Sequence, residues 1–119
     1  MRQTHKTLKG LFCLDHNIKL YIPSTVDVDK SIDNTEYVNL TLAKFGEWFG
    51  GATSYDATGA WLSQDKGLIT EAVKIVESYA TKEACIESLD KVIKLAEELK
   101  SKLNQEAISL EYDNKLYFI

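Results

Sequence analysis

The 119-residue chain contains one proline, one arginine, one methionine, two cysteines and two histidines. Each scarcity excludes something. A single proline, Pro23, argues against a Pro-rich disordered or collagen-like chain. Arginine is the usual bidentate reader of phosphate and guanine, and Arg2 alone is too little for a nucleic-acid surface. Cys13 and Cys85 lie too far apart in sequence for a disulfide scaffold; free thiols in a reducing cytoplasm are expected. His5 and His16 both fall near the N-terminus, so no triad of nucleophile, base and orienter can be drawn from them. No apolar run approaches the ~18–20 residues that span a bilayer. The basic start is followed only by the short run Gly10–Leu14, below the ~7–15 residues of a secretory h-region.

Charge is present in quantity but unevenly placed. The net charge is −4. Residues 1–20 carry Arg2, Lys6, Lys9 and Lys19 against Asp15, while residues 21–119 hold ten lysines against seventeen acids. An acidic body repels a phosphate backbone, so neither nucleic acid nor membrane is expected as a partner. Apolar residues at 45% and twelve aromatics suit one domain with one core. Residues 1–17 lack a clear period and read as an N-terminal extension, ordered only where Leu11, Phe12 and Leu14 dock; residues 18–119 read as a single α+β domain.

Along that domain, Ile18, Leu20 and Ile22 alternate as in a strand, which Pro23 ends. Residues 26–31 read as a polar acidic loop. Asp33 and Glu36 have capping-box spacing, and Val38, Leu42, Phe45 and Phe49 then mark one face of a helix that Gly50 and Gly51 stop. Ala52–Ala57 and Ala60–Gln64 read as two short β pieces broken at Gly59, before the turn Asp65-Lys66-Gly67. Leu68–Ala80 reads as a strand, with a helix as the competing assignment. Thr81 caps a second helix whose apolar stripe runs Cys85, Leu89, Val92, Ala96, Leu99 and Leu103. Its exposed side offers Glu87–Lys91, Asp90–Lys94 and Glu98–Lys102 at i,i+4. Ile108–Ile119 reads as a hairpin about Asp113-Asn114. The order β-α-β-β-(β)-α-β-β predicts a ferredoxin-like α+β fold, a mostly antiparallel sheet covered on one face by two helices.

Motifs with chemistry are few. Asp27-x-Asp29-x-Ser31-x-Asp33 resembles the start of a calcium loop, but Ile32 stands where the turn glycine belongs and Val38 where the closing glutamate belongs. Cys13-x2-His16 has zinc-like spacing without a second pair to complete a site. No phosphate-binding glycine loop and no G-x-S-x-G elbow occur. No metal, cofactor or catalytic residue is therefore assigned. What remains is a group of residue types: Trp61 just after Gly59, Glu71 in an apolar segment, with Tyr55, Asp56 and Gln105. A glutamate facing the helices would be desolvated and suited to acid–base work. Separately, Tyr37, Leu40 and Trp48 lie off the main stripe of the first helix, and Tyr112 and Tyr117 lie on the terminal hairpin. Tyrosine and tryptophan suit protein interfaces.

Phe49-Gly50-Gly51-Ala52-Thr53, Gly59-x-Trp61 and Glu71 resemble a loose group of small uncharacterised bacterial and phage α+β proteins. The likeness spans about residues 18–111 and includes Asn104-Gln105-Glu106. It implies a ferredoxin-like fold and, by association, a mobile-element protein of anti-defence type. The resulting expectation is a non-enzymatic cytoplasmic module that inhibits or assists a host protein such as a defence nuclease, with a protein partner or a second copy of itself. The alternative is a small-ligand enzyme or binding protein with a pocket between sheet and helices around Glu71 and Trp61, walled by Tyr55.

Overall fold

Strand β1 (His16–Pro23) is the axis of the molecule. Its side chains alternate across the sheet, and Ile18, Leu20 and Ile22 are fully buried on one face. The computed structural model describes residues 5–27 and 30–119. Arg2 of the basic extension and Asp29 of the acidic loop lie outside the described residues. After β1 come a two-stranded ribbon, β2 (Thr25–Val26) with β3 (Lys30–Ser31), then α1 (Thr35–Phe49), β4 (Thr53–Ser63), β5 (Gly67–Ala80), α2 (Lys82–Lys102), β6 (Ser109–Tyr112) and β7 (Lys115–Phe118). The main sheet runs β4-β5-β1-β6-β7, antiparallel throughout. Without β7 this is the strand order of a repeated split βαβ unit, the expected ferredoxin-like arrangement.

Both helices cover the face bearing Ile18, Leu20 and Ile22. From α1 come Val38, Phe45 and Phe49; from α2 come Cys85, Val92, Leu95, Ala96 and Leu99. Phe45 is fully buried and meets Phe49 edge-on at 5.4 Å. Thr81 caps α2 as expected, its hydroxyl accepting from the Ala84 N–H at 3.1 Å. Gly50 ends α1 at φ 92°, a left-handed conformation that costs glycine little. Among the described residues no helix is long and apolar enough to cross a membrane.

Leu68–Ala80 is a strand, as expected, because β1 and β4 pair with it on both sides and their ladder bonds outweigh its helical propensity. Other local expectations change. The two pieces around Gly59 are one continuous strand of 11 residues. Asp33 does not cap α1; Asn34 takes that position without a side-chain cap bond. The Asn34 side chain is buried instead and donates to the Pro23 carbonyl at 3.0 Å, while Asp33 accepts from the Thr35 N–H. Among the described residues the three i,i+4 pairs of α2 do not close within 4 Å, as exposed pairs gain little over hydration. Leu11 and Phe12 do not dock but stay 64% and 84% exposed.

His16 is not a free tail residue. Its Nδ1 lies 2.7 Å from Asp113 Oδ2, and its ring stacks on Tyr112. Asp113 and Asn114 both have positive φ, as the predicted two-residue hairpin turn requires. Burial opposes ionisation of Asp113, but hydrogen bonds from the Asn17 N–H and from His16 outweigh it and hold the carboxyl below its ordinary range. A depressed folded-state pKa stabilises above the unfolded value of about 3.9 and loses that contribution as pH falls through the folded value. Asp113→Asn is therefore expected to lower the urea midpoint at pH 7 and to match the parent more closely at pH 3. A gap of the same size at both pH values would show that the carboxylate charge is not what ties this turn to β1.

Candidate functional site

The sheet face turned away from the helices is left open, and strand register decides what lies on it. Across β4, β5, β1 and β6, Thr53, Glu77, Lys19 and Glu111 form one row. The next row is Tyr55, Ile75 and Tyr21, followed by Ala57, Val73 and Pro23. Gly59 opposite Glu71 and Trp61 opposite Ile69 complete it. The lower rows, the segment after α2 and the terminal hairpin enclose a trough of about 790 Å³. That lies within the roughly 300–1,000 Å³ of small-molecule sites. Pro23, Val73, Ile75, Leu116 and Phe118 supply apolar walls; Trp61, Glu71, Tyr21 and Gln105 supply the aromatic and polar groups.

Gly59 lies against Glu71: a Cβ there would make an ordinary van der Waals contact with Glu71 Cγ at 3.6 Å, and the glycine leaves that side of the Glu71 side chain uncovered. Glu71 is half-buried and Trp61 is 47% exposed. Gln105 holds the loop after α2 in place: its amide nitrogen donates to the Thr25 carbonyl at 3.0 Å and to the Leu103 carbonyl at 3.1 Å. Its amide oxygen is the side chain's remaining polar atom.

Above the trough lies a polar network. Lys19 Nζ stands 3.6 Å from Glu111 and 3.9 Å from Glu77, and Tyr21 donates to Glu111 at 2.7 Å. Burial of Lys19 opposes its charge, but Glu111, Tyr55 and Glu77 outweigh that and raise its pKa. The hydrogen bond to Glu111, then burial, pushes the Tyr21 phenol up to about 12. Three glutamates face one lysine on these rows, so the open face favours a cation.

Trp61, Glu71 and Gln105 are thus brought together, whereas Tyr55, expected as a pocket wall, lies in the Tyr21 row beside Ile75 and does not line the trough. The placement differs from expectation: the cavity lies on the open face, not between sheet and helices, because residues 69, 71, 73, 75 and 77 alternate with the helix-facing Val76, Ser78 and Ala80. Asp56 drops out for the same reason, lying on the other face in an ion pair with Lys74 at 2.7 Å. The interface set also changes. Tyr37 and Trp48 are half-buried against the core, since the apolar stripe of α1 is wider than its main line; Tyr112, at the end of β6, is half-buried against the core too, and only Leu40 and Tyr117 stay exposed. Lys19, Tyr21 and Glu111 were missed. The signal was available: in a strand whose Ile18, Leu20 and Ile22 face the core, Lys19 and Tyr21 must share the opposite face.

No family model matches the sequence, and no curated protein sequence matches it significantly. Solved structures do resemble the fold. A phage SAM lyase in complex with S-methyl-5'-thioadenosine aligns with TM-score 0.62 over 94% of both chains at 19% identity. A phage SAM lyase in the apo state aligns with TM-score 0.58 over 87% of both chains at 20% identity. These matches overturn the expected non-enzymatic inhibitor module: both matched structures are of SAM lyase, and the alternative of a ligand pocket around Glu71 and Trp61 accords better with them.

Proposed function

We propose that the protein binds S-adenosylmethionine in the open-face trough and cleaves it as a lyase, releasing methylthioadenosine. The observation that carries this reading is Glu71, a carboxylate that lines an apolar and aromatic trough opposite Gly59. A sulfonium is a cation with apolar substituents, so it is held by a carboxylate together with an aromatic face such as Trp61. The likeness to phage SAM lyases, one of them holding S-methyl-5'-thioadenosine, supports the same ligand class, although fold alone does not dictate chemistry. The Gly59-x-Trp61 and Glu71 motif is the sequence trace of this trough, and the group that shares it is proposed to share the site. Free thiols at Cys13 and Cys85 suit action in the cytoplasm, where the substrate is made.

The chemistry asks little of the side chains. The bond from sulfur to the γ carbon of the amino-acid arm breaks, and its electron pair stays on sulfur as a neutral thioether. The arm's own carboxylate attacks the γ carbon and forms a C–O bond, closing a lactone. Sulfonium and carboxylate charges cancel in this step, so no proton moves and no water is consumed. Apolar walls that exclude water and hold the arm folded favour such a charge-cancelling closure. Glu71 anchors the sulfonium end, and Gln105 can accept a hydrogen bond from the ligand through its amide oxygen.

The test is incubation of the purified protein with S-adenosylmethionine, followed by chromatography and mass spectrometry. Methylthioadenosine and a four-carbon amino lactone are expected in equal amounts, with no oxygen-18 taken up from labelled water during the first turnovers. Absence of methylthioadenosine, together with no heat of binding for either compound, would sink the proposal.

A further inference from the structure

Tyr21 and Glu71 stand at opposite ends of the trough. Tyr21 is in register with Ile75, four residues from Glu71 along β5, which separates the two positions by roughly 13 Å at the rise of a strand. Glu111 fixes what Tyr21 offers. A carboxylate only accepts, so at 2.7 Å the phenol must donate its single proton to Glu111. Lys19, 3.6 Å from Glu111, holds that carboxylate in turn. The Tyr21 oxygen therefore presents only lone pairs to the trough it lines. Beside it, the buried Ile75 lies between Tyr21 and Tyr55 in one row, an apolar strip on which a flat ring can rest.

We propose that Tyr21 reads the base of the substrate, accepting a hydrogen bond from the exocyclic amino group of adenine. This rests on the sulfonium reading above. With the sulfonium at Glu71, the α-ammonium lies only four bonds from sulfur and stays near that end. The adenine amino group lies nine bonds away along the nucleoside and is the donor that reaches the Tyr21 end. Hypoxanthine carries a carbonyl oxygen at the same position, which would oppose the Tyr21 lone pairs and remain unpaired. A site built around a hydrogen bond rejects a ligand that cannot complete it. Tyr21 is thus a specificity-determining residue, held in its acceptor role by Glu111 and Lys19.

The test compares kcat/KM for S-adenosylmethionine with that for its inosine counterpart, in the parent protein and in Tyr21→Phe. The parent is expected to favour adenine by at least about 10-fold, and Tyr21→Phe to bring the two substrates within about 3-fold, mainly by losing rate on the adenine substrate. The ratio is taken within one protein sample, so a change in folded fraction cancels. A parent without base preference, or a variant that keeps the parent's ratio, would overturn the assignment of Tyr21 while leaving the lyase reading intact. A parent that turns over neither sulfonium would overturn the lyase reading, and the inference with it.

Discussion

Glu71→Gln is expected to reduce kcat/KM for S-adenosylmethionine by about 10- to 100-fold, mainly through KM, the range of one lost charge-assisted interaction. The substitution keeps the size of the side chain and its place beside Gly59, and it removes only the charge. The half-buried carboxyl has no ion-pair partner within 4 Å among the described residues, so the melting temperature should move by no more than about 2 °C. Methylthioadenosine lacks the sulfonium charge, so its affinity should change less than about 3-fold. Calorimetric titration with both compounds, beside initial rates, separates these effects. An unchanged kcat/KM in Glu71→Gln would remove this residue from the site. Equal losses for the charged and the neutral ligand would show that Glu71 shapes the trough rather than recognising charge.

The largest stability effect is expected at the opposite face of the sheet. Phe45→Ala should cost about 3–5 kcal/mol, the usual loss for a large aromatic truncated in a packed core. Phe45 has no exposed surface; it packs edge-on against Phe49 at 5.4 Å and lies 6.3 Å from Trp48. Total stabilities of single domains run to about 5–15 kcal/mol, so the variant should sit near the threshold of folding. Urea denaturation should give a much lower midpoint with a similar slope. Leu40→Ala on the same helix is the control: Leu40 is 38% exposed, and its loss should be within about 0.5 kcal/mol. A loss at Phe45 below about 1.5 kcal/mol would mean that the site can collapse around the missing ring.

Much of the architecture was legible in local pattern. The stripe from Cys85 to Leu103, the Thr81 cap, the Gly50 stop and the Asp113-Asn114 turn each depend on residues within a few positions of one another, and each formed as expected, except that Leu89 stays half-buried while Ser88 and Leu95 are buried. Leu68–Ala80 was ambiguous because glutamate and alanine favour helix, and its strand state depends on partners at residues 16–23 and 53–63. The β2–β3 ribbon and the part-buried contact of His16 with Asp113, 97 residues away, left no local trace.

The same division holds for the site. Gly59, Trp61 and Glu71 stood out by type and spacing, a small residue and an aromatic ahead of a carboxylate in an apolar segment. Alternation alone assigns such residues to one of two faces without saying which face is covered. The sequence by itself determined the helices, the strand periodicity and the acidic body. Only the tertiary structure decided that both helices settle on the Ile18–Leu20–Ile22 face, leaving Lys19, Tyr21, Glu71, Glu77 and Glu111 on the open one. The physical reason is that a sheet face is closed by apolar area contributed from elsewhere in the chain. Register across β4, β5 and β1 then places side chains 50 residues apart in sequence around one cavity.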